Sequence, residues 1–415
     1  MATRTAASAT DLTEQTWSSG VALEGANHTY SPPADETVTH WVTAVASLNG
    51  GATADPFGAL DDLSFSDLGN VFDNLDYRQG IASQRDVFGP SPAANQKLSH
   101  FIVGSAGGAK AKHSHTLSLE LRDISTLDQE AVSLGTSTTT SSTFQVKATR
   151  TFTPATEGDY LVIGEALLKH GSTSSEVECH LNFDSGTFFN VMRHQPKSTS
   201  EWVPWSCVVG FIAGETAGFD GSTGLTAAAH TMAIEFRSRG GSATASIKRA
   251  RLTILRLDTF KNFYYEENAS RARQTTSSAS YSTKLTNAPD ILNAGNHLIF
   301  ADAHVDGTGG SGRFTGGQIT AGGTTVLESL YFPRRSLGQD DAALRMFRLE
   351  DLDAGESAAN TWTIDIQKGG SGVGAVGCEH ATICVIELEE AQATKEVFLG
   401  RLAGMPQVVL AHTSQ

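Results

Sequence analysis

The residues able to do chemistry in this chain are scattered, and few stand at the spacings chemistry requires. His113-x-His115 puts two imidazoles on one face of a strand, a spacing that metal ligands use. Nothing nearby supplies a third or fourth ligand, so solvent-facing turn histidines are expected. Cys179 and His180 are adjacent, and adjacent residues of a strand point to opposite faces, which disfavours a shared metal. Asp55, Asp61, Asp62, Asp67, Asp73 and Asp76 would suit Ca2+ or a carboxylate pair for glycoside hydrolysis. They alternate with apolar residues, the pattern of a solvated helix face or loop. Gly307–Gly312 (GTGGSG) has the GxGxxG spacing, but Arg313–Thr320 after it reads as strand or turn where a dinucleotide fold needs a helix. No P-loop, HExxH, EF-hand loop or GxSxG elbow occurs. Trp202 and Trp205 flank Pro204 and are the candidates for stacking on a glycan. The expectation is a protein that is not an enzyme, with no catalytic residue, no metal and no cofactor.

The elements that would position such residues are strands. Gly numbers 41, charged residues make up 18% and apolar ones 39%, and Ser and Thr are abundant. That composition is short of helix formers and rich in turn and strand formers. Ala250–Asp258 (ARLTILRLD) is a near-continuous apolar run without Gly or Pro, as in a strand buried on both faces. Ala381–Glu389 (ATICVIELE) repeats it, and Thr116–Asp123 (TLSLELRD) is a looser copy. Each follows a glycine pair (Gly240–Gly241, Gly369–Gly370, Gly107–Gly108), and a further strand precedes each pair: Thr231–Phe236, Thr361–Ile366 and His100–Val103. A motif recurring about every 130 residues has the period of a whole domain. Ser/Thr runs at Gly135–Thr143 and Thr275–Ser282 open the later two copies, and Glu165-Ala166 falls opposite Asp302-Ala303.

Residues 1–35 read as an extended polar lead-in, and His40–Gly50 as a strand. Asp55–Arg78 reads as a helical or irregular insertion, because Leu60, Leu63, Leu68 and Phe72 fall at helical spacing. No signal-peptide core and no run of membrane-spanning length is present, and the four cysteines form no CxxC. Free thiols in a protein made in a cytoplasm are expected. The charge balance of 30 basic against 45 acidic residues gives −15, a surface that repels phosphate; neither nucleic acid nor membrane is an expected partner.

Phe144, Thr151-Phe152-Thr153-Pro154, Gly158-Asp159-Tyr160 and Ala250–Leu257 resemble the first and last strands of tumour-necrosis-factor/C1q-like jelly rolls. The likeness is strongest there and fainter around Gly295-Asn296-His297. Similar domains recur in virion proteins of tailed phages: head fibres, decorations and tail appendages. The resemblance implies an all-β fold of three tandem antiparallel jelly-roll sandwiches packed in series. Their bounds are 1–125 (a divergent domain with the insertion), 126–260 and 261–403, with a tail at 404–415. It also implies a homotrimer, because in that family the apolar last strand meets two further subunits around a threefold axis. Leu252, Ile254, Leu257, Ile383, Val385 and Leu388 are then the trimer-interface candidates. The expected role is a non-enzymatic virion protein, made in the host cytoplasm, that binds itself and other capsid or tail proteins. Attachment is assigned to the first domain through Leu60, Leu63, Leu68 and Phe72. A carbohydrate- or receptor-binding module, contacting a host-surface glycan, is the alternative.

Overall fold

The computed structural model describes residues 128–388 apart from short segments between strands, and outside that range the strands alone. Almost every described element is a strand. The first set comprises β1 (Ala6–Asp11), β2 (Gln15–Thr16), β3 (Leu23–Tyr30), β4 (Val38–Asn49), β5 (Phe57–Leu60), β6 (Arg78–Phe88), β7 (Gln96–Val103) and β8 (Lys110–Leu121). The second holds β9 (Gln129–Ser133), β10 (Ser137–Thr139), β11 (Gln145–Phe152), β12 (Tyr160–His170), β13 (Glu176–Phe183), β14 (Thr187–His194), β15 (Val203–Phe211), β16 (His230–Arg239) and β17 (Ala245–Arg256). The third holds β18 (Asn262–Glu267), β19 (Gln274–Thr276), β20 (Ser282–Asn287), β21 (Gly295–Gly307), β22 (Phe314–Ala321), β23 (Thr325–Pro333), β24 (Asp340–Leu352), β25 (Trp362–Gly369) and β26 (Val376–Glu387). β27 (Ala393–Val397) and β28 (Leu410–His412) follow.

Each set forms two antiparallel sheets in one recurring order. In the second, the inner sheet runs β10-β17-β12-β15 with β9 also on β17, and the outer sheet runs β11-β16-β13-β14. The third repeats this as β18-β26-β21-β24 with β19 on β26, and β20-β25-β22-β23. The first contributes β1-β8-β4-β6 with β2 on β8, and β3-β7-β5. First and last strands lie side by side, which is the jelly-roll order.

The repeat extends to a local irregularity. His113, Arg249 and His380 adopt φ of 51°, 53° and 51°, rare for residues with a side chain. Each sits on the last strand of its set, where the register to the neighbouring long strand slips by one residue. A bulge at one place in three strands sharpens their twist and lets long inner strands wrap a common centre.

Cores follow from alternation. In the second sandwich Tyr160, Val162, Ala166 and Leu168 of β12 point inward with Leu252 and Ile254 of β17, over Cys179, Leu181 and Ile234 of the outer sheet. The third is filled in the same way by Ile299, Ala301, Ile319, Ile364, Ile383 and Val385. All four cysteines are buried and free, and burial raises each thiol above its usual range.

Two local expectations are corrected. The stretch 1–35 is not a plain lead-in, because β1 pairs with β8 and β3 with β7. Helical spacing over Asp55–Arg78 does not yield a helix at its start: Phe57–Leu60 is strand β5, hydrogen-bonded to β7, so sheet completion overrides local periodicity. Residues 61–77, with Leu63, Leu68 and Phe72, lie outside the described residues. Leu410–His412 of the expected tail is a strand on β27, which itself runs parallel to β1, so the far end of the chain joins the first inner sheet.

Candidate functional site

Strands β17 and β26 carry apolar side chains on both faces: one fills the sandwich, and the other meets its counterparts. On β8 the apolar face is Leu117, Leu119 and Leu121, alternating with buried Thr116, Ser118 and Glu120. Leu117, Leu119 and Leu121, then Leu255 and Leu257, then Cys384, Ile386 and Leu388 belong to one buried cluster. Trp41 of β4, Leu161 and Ile163 of β12, and Leu298 and Phe300 of β21 join it, with Val208, Phe347 and Leu349 from β15 and β24. Three inner sheets of one chain therefore close on each other, and the sandwiches are not packed in series.

Of the residues expected at a trimer interface, Leu257 and Leu388 lie in this cluster. Leu252 and Ile254 instead fill the core of the second sandwich, and Ile383 and Val385 that of the third. The strand alternates, so their neighbours Leu255, next to Ile254, and Cys384, between Ile383 and Val385, take the shared position. The apolar face that motivated a homotrimer is covered from within the chain.

Rings fix part of the cluster. Phe347 meets Trp41 edge-on at 5.4 Å and Phe300 edge-on at 5.4 Å, joining the first and third sandwiches. On the other side, Tyr265 of β18 reaches β15, where its hydroxyl accepts the Gly210 N–H at 2.9 Å and donates to Glu267 at 2.8 Å. A Cβ on Gly210 would come within 2.6 Å of that ring, so this position tolerates only glycine. Gly164 is similar: a Cβ there would meet Cys207 Sγ at 2.7 Å.

One end of the interface is polar and wholly buried. Arg345 of β24 donates through Nη1 to Glu165 at 3.2 Å and through Nη2 to the carbonyls of Gly164 at 2.7 Å and Cys207 at 3.0 Å. Its Nε stands 3.8 Å from Asp302. Ser206 donates to both Asp302 oxygens at 2.8 and 2.9 Å, and His304 Nε2 donates to the Ser206 carbonyl at 2.7 Å. From the first sandwich, Gln79 clasps the Arg345 backbone, accepting its N–H at 2.6 Å and donating to its carbonyl at 2.5 Å. Arg251 pairs with Glu130 beside this group.

Burial pushes the Asp302 carboxyl up to about 6 against the pull of Arg345, and pushes the His304 imidazole down to about 4. The two act in opposite directions. As pH falls from about 6 to 3.8, folded Asp302 takes up a proton before the unfolded chain does, and stability rises. Between 6.5 and about 4 the unfolded histidine is protonated first, and stability falls. Asp302→Asn removes the first effect alone. The stability of the native protein minus that of the variant should then be about 2 kcal/mol more favourable at pH 4 than at pH 7, because each tenfold difference in proton affinity between folded and unfolded chain is worth about 1.4 kcal/mol. Urea unfolding at both pH values measures it, and parallel pH profiles would contradict the assignment.

The remaining expected site residues are dispersed. His115 is buried and His113 largely so, not solvent-facing, because β23 of the third sandwich covers them. His115 Nε2 donates to the Leu327 carbonyl at 2.9 Å, and Glu328 lies 3.8 Å away. Cys179 faces its core, while His180 points outward between the rings of Phe144 and Phe188 and bonds Glu235 at 3.0 Å. Among the described residues no group of three or more His, Cys, Asp and Glu is gathered as for a metal ion. Trp205 is a core residue with no exposed surface, its indole N–H held by the Asn190 carbonyl at 2.9 Å, so it offers no face to a sugar. Trp202 is half-buried, with the ammonium groups of Lys248 and Lys169 at 4.2 and 5.4 Å from its ring. Leu60 ends β5, and its side chain lies outside the described residues. Reading the sequence alone misses a shared interface within one chain. The one legible signal is a glycine inside each of two apolar strands, LVIGEALL and CVVGF, a mark of close backbone approach.

No protein family matches the chain, and no curated protein does. Among solved structures, the chain is similar to an archaeal-virus protein with a triple jelly-roll fold from a turret assembly, at 10% identity, over 93% of this chain and 92% of that one, with a TM-score of 0.20. It is also similar to a structure of infectious bursal disease virus Gt strain, at 8% identity, 93% and 73% coverage and a TM-score of 0.24. A third is the STIV MCP, at 8% identity, 63% and 95% coverage and a TM-score of 0.19. Superpositions this poor carry no argument about the chain; its jelly-roll assignment rests on its own strand order.

Proposed function

We propose that this protein is a non-enzymatic structural component of a virion, a capsid decoration or a part of a fibre or tail appendage. In this reading one chain supplies the three-sandwich block that the resembled jelly-roll family builds from three subunits. The observation that carries it is the single sealed cluster formed by the three inner sheets. A block of this kind has its three inner sheets joined in one buried cluster and leaves its outer sheets for neighbours, as a part in a symmetric shell requires. The free protein is then a single chain, and whole chains associate only in the assembled particle, through those outer surfaces and not through the cluster. The first sandwich, with Trp41 and Leu117–Leu121 in the cluster, holds the block together as well as offering an attachment surface.

Two measurements test this. Light scattering at micromolar concentration should return the mass of one chain, and a stable trimer would defeat the single-chain block. Mass spectrometry of purified particles from a producing culture should find the protein at stoichiometric copy number. Its presence in the lysate but not in the particles would defeat the virion role.

A further inference from the structure

Apolar contact has no direction, so the cluster alone cannot stop a sandwich of one copy from docking on the sheets of another. The polar end of the interface is different. The strand registers place Val45↔Ile81, Glu165↔Ser206 and Asp302↔Arg345 at corresponding points of the three inner sheets. Each pair stands at the bulge described above, so the three are repeat-equivalent. Their chemistry is not equivalent. The first sandwich presents two aliphatic side chains, the second a carboxyl and a hydroxyl, the third a carboxyl and a guanidinium.

Arg345 finds its acceptors on the second sandwich and its backbone partner, Gln79, on the first. Asp302 is bonded by Ser206 of the second. Three copies of the second sandwich would bury three carboxyls with no cation at the matching position. Three of the third would deny Arg345 the Glu165 carboxyl and Asp302 the Ser206 hydroxyl, and three of the first would offer only aliphatic side chains. Only one of each kind completes the set.

We propose that this buried, asymmetric set, centred on Arg345, Glu165 and Asp302, is the register key that makes three unlike sandwiches pair with each other and excludes clusters of like sandwiches drawn from several copies. Buried ion pairs contribute little net stability against apolar replacements of similar size, but they penalise every arrangement that leaves one partner unpaired. Specificity of this kind is needed when three similar sandwiches are made at high local concentration. The inference rests on the single-chain reading above.

The test is refolding of the full chain from urea, with tagged and untagged copies mixed and then captured by the tag. The native protein should recover as single chains with little untagged material captured. The triple variant Glu165→Leu, Asp302→Leu, Arg345→Met should regain its β-sheet circular dichroism. It should also capture about tenfold more untagged chain, the factor that 1.4 kcal/mol of lost discrimination gives. Equally clean recovery of the triple variant would overturn the key. If that variant does not regain its dichroism, Glu165→Gln with Asp302→Asn decides by the same readout, with raised capture expected and native-level capture overturning the proposal. Capture by the native protein itself would instead count against the single-chain reading.

Discussion

Trp205→Ala is expected to lower the stability of the chain by about 4 kcal/mol, with no ligand involved. The indole is fully enclosed in the second sandwich, among Met192, Phe189 and Cys207. Its N–H is satisfied by Asn190, and its six-membered ring lies 2.9 Å from where a Cβ on Gly164 would be. Truncation leaves a cavity between two sheets and an unpaired Asn190 carbonyl, and close-packed strands relax little around such a void. Trp202→Ala supplies the contrast. Its ring is half-buried beside two lysines, and losing it should cost only about 1 kcal/mol. Equal losses in urea unfolding for the two variants would sink this account of β15.

Phe347→Ala should cost a similar amount, about 4 kcal/mol, and should also change the form of unfolding. Phe347 packs on Trp41 of the first sandwich and on Phe300 of the third, with the Arg345 guanidinium 5.0 Å from its ring. Removing it takes away the closer of two ring contacts from Trp41 to the third sandwich, leaving Phe300 at 6.3 Å, while the separate cores of the second and third sandwiches stay intact. The native chain is expected to melt in one transition, because all three inner sheets share a cluster. In the variant the first sandwich should come away early, seen as a second calorimetric peak and as proteolysis before residue 128 at temperatures the rest survives. A single peak with an unchanged midpoint would show that the cluster does not couple the sandwiches.

The fold is legible in the sequence because its signals are local. An apolar run such as Leu252–Leu257, a glycine pair before it and a recurrence about every 130 residues are each visible without knowing any contact. The likeness of Glu165-Ala166 to Asp302-Ala303 is visible too, and it marks the place where the second and third sandwiches exchange hydrogen bonds. What those carboxyls face is not legible, since Arg345 and Gln79 lie far from Glu165 along the chain and no spacing rule connects them. The two tryptophans show the same limit. Trp202 and Trp205 differ by three positions, and whether each ring is enclosed or partly open depends on which sheet lies over it.

The amino-acid order by itself determined that this chain makes antiparallel strands, that the strands come in three similar sets, and that the last strand of the second and third sets is greasy on both sides. Alternation and turn chemistry act over a few residues, so the order suffices for them. Whether the second greasy side meets other copies or the remaining sets of the same chain was decided only by tertiary structure. Hydrophobic burial is satisfied by any apolar partner, and only the placement of three sheets around one centre shows that the partner is the chain itself.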